Sequence, residues 1–363
     1  MEHSIERELI YPIAKAGSII RFEFEELQHA IIWTEDINID NYPNTKSYLL
    51  PFKDALAARY DIKSRKANWW EISNPRNAEL FFSNRPRILV PFIATGNKFC
   101  VDDKKRLNDG GDIRGIFFKS DCPYSEFYVC AVLNSQACEY YHLRNTKLKR
   151  GGYYEYFEGQ LSALPIRRIN FTTSPQQRTY YLEKAKNLYA YCLDKNDQAC
   201  VLGFVDHHLS QQPEQSDVVH DLLAFLAEEM IRLNKEKRAA QKQFLDQLVT
   251  TLRILLDKEG RKGIDVLTGK GKLADYPGDY QKGEPHLEFG ELHDILLKNK
   301  GRLGVSLNDA GLVERLRREY EGSLQKVLPL KEQLAKTDAL IDQVVYRLYG
   351  LTEEEIKVVE GKG

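Results

Sequence analysis

The stretch DLLAFLAEEMIRLNKEKRAAQKQFLDQLVTTLRILLDK, residues 221–258, decides the architecture. Leu222, Leu226, Met230 and Leu233 recur in steps of 4, 4 and 3, and Phe244, Leu248, Leu252 and Leu255 repeat those steps. The gap from Leu233 to Phe244 is about three helical turns, so both sets share one face of a single helix about 55 Å long. Downstream, Leu312, Leu316, Tyr320, Leu324 and Val327 make a second stripe, interrupted by Pro329. Leu330, Leu334, Thr337, Ile341, Val344 and Leu348 make a third, which Gly350 stops. Thr352-Glu-Glu-Glu355 reads as the capping box of a last short helix. Narrow stripes on long helices suggest antiparallel packing, against one another or against a partner.

Upstream of that stretch the texture changes. Ser174-Pro175 opens a helix through about Leu193, and Gln211 to Asp217 reads as a polar loop. Residues 1–168 hold 25 of the 39 aromatics and all three Trp. Their short apolar runs, Arg87 to Ile93 and Ile113 to Phe118, sit between turn residues and predict strands. Ser125 to Arg144 predicts one capped helix. The expected fold is α+β: a mixed domain at 1–168, a helix and linker at 169–220, and a helical region of long antiparallel helices at 221–363. Residues 259–290, rich in Gly, Lys and Asp, predict a long loop.

Composition excludes several classes. Lys and Arg number 52 against 53 Asp and Glu, so the chain is not a uniformly basic binder, although a local basic face remains open. A mean hydropathy of −0.48 and the absence of any run near 18 apolar residues argue against a membrane protein. The N-terminus lacks the parts of a signal peptide. Six cysteines without a C-x-x-C pair read as reduced thiols, and a cytoplasmic location is expected.

Catalytic signatures are missing from the sequence: no Walker loop, no H-E-x-x-H, no G-x-S-x-G and no glycine-rich cofactor loop. Asp121-Cys-Pro-Tyr124 only superficially resembles an amino-methyltransferase motif and reads as a turn. Cys192, Cys200, His207 and His208 match no zinc spacing. No acidic cluster with a lysine suggests a nuclease. No metal is expected.

The stronger signal is basic residues interleaved with aromatics. From Arg59 to Lys119 there are 13 Lys and Arg against 7 Asp and Glu. A second patch runs from Arg144 to Tyr154. Lys and Arg neutralise phosphates, and Arg and Asn can read base edges. The candidate DNA-binding residues are Lys63, Arg65, Lys66, Asn68, Trp69, Arg85, Arg87, Asn97, Lys98, Arg144, Lys147, Lys149, Arg150 and Tyr153. On composition alone, the same patches read equally as solvated loops around a Trp core.

Order adds to this. Ile5 to Ile13, Asn68-Trp-Trp-Glu-Ile72, Arg85 to Phe92, Tyr128-Val-Cys-Ala-Val-Leu-Asn-Ser135, Lys149-Arg-Gly-Gly-Tyr-Tyr-Glu-Tyr156 and Gln160 to Ile166 follow one another. That succession resembles the target-recognition region of type IIG restriction–modification enzymes. It is equally similar to that of related adenine-N6 DNA methyltransferases, including those of BREX phage-defence systems. Thr337 to Ile356 resembles the close of the same enzymes. The resemblance implies a module that reads double-stranded DNA for a methyltransferase domain supplied in cis or in trans. S-adenosylmethionine would belong to that domain, which some members accompany with an endonuclease. This sequence has no Asn-Pro-Pro-Tyr motif, so no cofactor is expected in it; Asn74-Pro-Arg-Asn77 is no substitute. The competing expectation is a helical interaction subunit of a multi-subunit defence complex that does not touch DNA.

Overall fold

The computed structural model describes residues 4–25, 29–72, 77–104, 106–108, 111–257 and 260–362. The basic-patch residues Arg76 and Lys105, and Asn74 and Pro75 beside Arg76, lie outside the described residues. The chain forms two compact units, Met1–Ile166 and Arg167–Gly363, and the fold class is α+β.

The first unit is built from short elements. In order they are β1 (Ile10–Ala14), β2 (Ile19–Ile20), β3 (Glu23–Phe24), β4 (Ala30–Ile32), α1 (Pro43–Leu49), α2 (Lys53–Ala57), α3 (Tyr60–Arg65) and α4 (Ala78–Phe82). Then come β5 (Arg87–Pro91), β6 (Ile93–Ala94), β7 (Cys100–Val101), β8 (Leu107–Asn108), β9 (Ile113–Phe117), α5 (Glu126–Asn134), α6 (Gln136–Asn145), β10 (Leu148–Lys149), β11 (Tyr153–Glu155) and α7 (Glu158–Ser162). Strand β5 lies between β7 and β9, antiparallel to both, with Ile88 opposite Ile116 and Leu89 opposite Cys100. All five of its residues are buried, which is why it reads as a continuous apolar run rather than an alternating one. Helix α5 packs on β5 and β7 and buries Tyr128 through Asn134.

Strand β1 pairs with β4 and β8, β2 with β3, and the third three-stranded sheet runs β10–β11–β6.

The predicted 125–144 helix is two helices. Ser135 leaves helical geometry at ψ 153° and turns its hydroxyl to the Cys138 amide, 3.3 Å away, capping α6. Periodicity runs through such a break because it does not register a residue that caps instead of continuing.

The second unit holds α8 (Pro175–Lys195), α9 (Ala199–Leu209), α10 (Ser216–Leu252), α11 (Lys270–Ala274), α12 (Phe289–Lys298), α13 (Ala310–Tyr349) and α14 (Glu353–Val359). Helices α10 and α13 run antiparallel: Thr251 near the end of α10 meets Arg315 near the start of α13, and Phe244 meets Tyr320 further in. Phe244, Leu248, Leu252, Tyr276, Tyr320 and Val327 belong to one core.

Three expectations shift here. Helix α10 stops at Leu252, where Arg253 adopts φ 49°, so Leu255 leaves the stripe and is exposed. It begins at Ser216, because the buried Asp217 carboxylate accepts hydrogen bonds from the Thr173 amide and hydroxyl at 2.7 and 2.8 Å. The two stripes around Pro329 are one 40-residue helix. Pro329 and Gln325 both face solvent, so the carbonyl that the proline leaves without its amide partner can turn to water. Among the described residues no helix is long and apolar enough to cross a membrane.

Candidate nucleic-acid interface

From Tyr140 to Tyr154 the sequence carries Arg144, Lys147, Lys149 and Arg150 and no Asp or Glu. The fold presents this stretch as the end of α6 and the β10–β11 hairpin. Leu148 pairs with Tyr154, and Lys149 with Tyr153. The Gly152 amide donates to the Lys149 carbonyl at 3.3 Å, closing a turn with Arg150 and Gly151 in its middle. Gly151 sits at φ 86° and Gly152 at φ 79°, conformations that side-chain-bearing residues rarely adopt. The Gly-Gly pair therefore makes the tight turn that exposes Arg150. Strand β11 continues into β6 through Tyr154 opposite Ala94 and Glu155 opposite Ile93.

The cations on this hairpin are not equivalent. Lys149 Nζ lies 2.8 Å from Glu155 Oε1, a carboxylate that is mostly buried, so it is held within the hairpin. Among the described residues Lys147 and Arg150 have no ion-pair partner, and both are exposed. Arg144 lays its guanidinium 4.2 Å from the centroid of the Tyr140 ring. Tyr153 is 42% exposed.

A second group surrounds α3. Lys63 and Lys66 are exposed without ion-pair partners among the described residues, and Lys66 ends the helix at φ 55°. Arg65 Nη2 sits 2.7 Å from Glu35 Oε1, and Asn68 Nδ2 donates to Glu71 Oε1 at 2.7 Å, so both are engaged locally. Trp69 is half-buried, edge-on to Trp70 at 5.6 Å, with the Lys53 ammonium 5.8 Å over its ring. Arg59 fixes this turn, donating to the carbonyls of Leu56, Trp69 and Glu71. Arg85 is exposed ahead of β5, and Lys98 is half-buried.

Two sequence candidates are corrected. Arg87 is 0% exposed: its Nε donates to Asp102 Oδ2 at 2.9 Å, its Nη1 donates to the Phe81 carbonyl at 2.7 Å, and its guanidinium lies against the edge-to-face pair of Phe81 and Phe117, 5.8 and 5.6 Å from their centroids. Asn97 is 3% exposed: its Nδ2 donates to the Leu133 carbonyl at 2.7 Å, and its Oδ1 accepts from the Tyr156 hydroxyl at 2.9 Å. Both side chains are consumed by the interior and cannot reach a groove.

Sequence reasoning missed two residues that shape this unit. Asn134 pairs with both backbone groups of Phe99, accepting from its amide at 3.0 Å and donating to its carbonyl at 2.9 Å. Glu6 accepts from the amides of Asn44 and Thr45 and from the Thr45 hydroxyl, capping α1 from 38 residues upstream. Burial pulls its carboxyl up, but the Thr45 hydroxyl and the backbone amides outweigh that and hold it at about 2. No sequence signal links residues so far apart. Asp121 to Tyr124 begins in a turn over Lys119–Cys122, closed by the Cys122 amide donating to the Lys119 carbonyl at 3.1 Å, and runs into the Ser125 cap of α5. His208 lies inside the second unit with its Nδ1 2.6 Å from Gln215 Oε1.

Residues 35–166 match the TaqI-like C-terminal specificity domain. The chain is 25% identical over 177 residues to the type II methyltransferase M.HincII of Haemophilus influenzae, covering 46% of this chain and 35% of that protein. It is 30% identical over 159 residues to the type II methyltransferase M.MjaIV of Methanocaldococcus jannaschii, covering 40% of this chain and 50% of that protein. The match thus spans about a third to a half of the length of these curated relatives. The match falls on the stretch whose segment order resembles the specificity region of restriction–modification enzymes, and the relatives are type II methyltransferases.

Proposed function

We propose that the first unit reads a site on double-stranded DNA for a DNA methyltransferase. The observation that carries this reading is the position of the basic stretch 140–154, which holds no Asp or Glu and presents Lys147 and Arg150 without ion-pair partners among the described residues, within the segment that matches the specificity domain. Exposed Lys63, Lys66, Arg85, Lys147 and Arg150 supply phosphate contacts that set register, and Tyr153 is placed to touch bases. The reaction served is transfer of a methyl group from S-adenosylmethionine to adenine N6, carried out by a catalytic domain in cis or in trans, as in type IIG and phage-defence enzymes. The long α10–α13 pair is the surface on which that domain docks.

A fluorescence-anisotropy titration of duplexes from a random-sequence pool at several salt concentrations tests this. Affinity is expected to fall steeply with salt. Arg150→Glu and Lys147→Glu should each weaken binding and lower the log–log slope by about 0.9 for every phosphate left unneutralised. Absent or salt-insensitive binding, with or without a methyltransferase domain added, overturns it.

A further inference from the structure

Leu148 is 64% exposed, more than any other large aliphatic side chain described in the first unit. It stands on the edge strand β10, opposite Tyr154, and is flanked in sequence by Lys147, Lys149 and Arg150. Leu148 thus stands among cations on the surface assigned above to a partner that is anionic at its phosphates and locally apolar at its bases. Duplex DNA has that combination. The third strand of the sheet, β6, stops at Ala94 opposite Tyr154, so Lys149, the turn and Tyr153 extend beyond it as a two-stranded ribbon, with Leu148 on the open edge at its base. Such a ribbon fits the major groove, about 12 Å wide, and not the minor groove of about 6 Å. Within the major groove the thymine C5-methyl is the apolar group available to an aliphatic side chain.

We propose that Leu148 is a specificity-determining residue that packs on the C5-methyl of a thymine in the recognised site, while Lys147 and Arg150 hold the flanking phosphates. Lys149, tied to Glu155, holds the hairpin's shape instead of touching DNA. This inference rests on the DNA-reading proposal above and assigns one contact within it.

The test uses the full 363-residue chain and duplexes enriched from a random-sequence pool, with each thymine of the footprint replaced in turn by deoxyuridine. Deoxyuridine lacks only the methyl. At one or two positions the replacement should weaken binding roughly fourfold, the value of one buried methyl-sized group. Leu148→Ala should bind the thymine duplex about as weakly as the unaltered chain binds the deoxyuridine duplex, and the replacement should weaken it no further. The hairpin fold should survive because Leu148 is largely solvated, which circular dichroism checks. A Leu148→Ala chain as sensitive to deoxyuridine as the unaltered one overturns the assignment and leaves DNA reading standing. So does a footprint with no sensitive thymine, or with no thymine at all. Failure to enrich any duplex overturns both.

Discussion

Arg87 gives the sharpest test of which cations belong to the fold and which to the surface. Replacing it with methionine keeps a long, unbranched side chain against the Phe81–Phe117 pair but removes the charge. Two charge-assisted hydrogen bonds go, one to Asp102 and one to the Phe81 carbonyl, each worth about 1.5–3 kcal/mol. Two features offset part of that. Arg87 Nη2 is buried without a hydrogen-bond partner, and Arg106 still neutralises Asp102, with its backbone amide and that of Lys104 also on the carboxylate. The net loss is therefore about 3 kcal/mol, toward the low end of what breaking a buried pair costs. In a unit of this size that lowers the melting temperature by about 6–12 °C. Asp102→Asn should cost more, because it leaves two guanidinium groups facing each other without their shared anion. The assay is thermal unfolding followed by circular dichroism, paired with DNA titration well below the transition. DNA affinity of Arg87→Met should stay within about twofold of the unaltered chain. A variant that melts normally but binds DNA ten times more weakly would show that Arg87 faces the duplex and that its assignment to the core is wrong.

Two further outcomes follow from the interior polar groups. Burial pulls the pKa of His208 down, outweighing the raising effect of Gln215, with His207 and Lys184 adding to the lowering and Asp217 opposing it. Burial lowers His142 likewise, against a hydrogen bond with the Glu155 backbone. Both rings are harder to protonate folded than unfolded. Stability is therefore fully present above the unfolded value near 6.5 and declines as pH falls below it. Melting curves at pH 7.5, 6 and 5 should show the decline, and His208→Gln should flatten it; equal or rising stability on acidification would contradict the neutral, buried assignment. Asn134→Ala removes the side chain's two hydrogen bonds to Phe99 and leaves the buried Phe99 amide unpaired, while the Phe99 carbonyl keeps the Phe22 amide. It should cost about 2–4 kcal/mol, read as a lower denaturant midpoint at unchanged slope; a midpoint within error of the unaltered chain would rule that role out.

The long helices were legible because a stripe repeating every 3.6 residues can arise only from a face that stays buried along its length. Leu222, Leu226, Met230, Leu233, Phe244, Leu248 and Leu252 all fall inside α10 and are buried. Periodicity says less about where a helix ends. Leu255 kept the spacing but sits past the Arg253 cap, and Pro329 looked like a stop although its helix continues. Both cases turn on backbone geometry and solvent exposure, and neither leaves a mark in the apolar pattern.

The site residues show the complementary limit. Arg87 and Arg150 are the same residue type in equally basic surroundings, and composition ranked them together. What separates them is tertiary pairing. Arg87 opens a strand whose neighbours are all buried, and its hydrogen-bonded strand β7 is followed at once by Asp102. Arg150 follows a strand that carries an exposed leucine and precedes two glycines that only a turn tip requires. Those local cues were present in the sequence: an arginine at the head of an uninterrupted apolar run must bring a carboxylate with it into the core, whereas an arginine before Gly-Gly has nothing to bury it. Cations next to apolar runs therefore belong to the scaffold, and cations next to turn glycines remain available to phosphate. Lys147 joins Arg150 because it is exposed without an ion-pair partner among the described residues, whereas Lys149, nearer the glycines, is withdrawn by Glu155 six residues later, a pairing that no spacing rule anticipates.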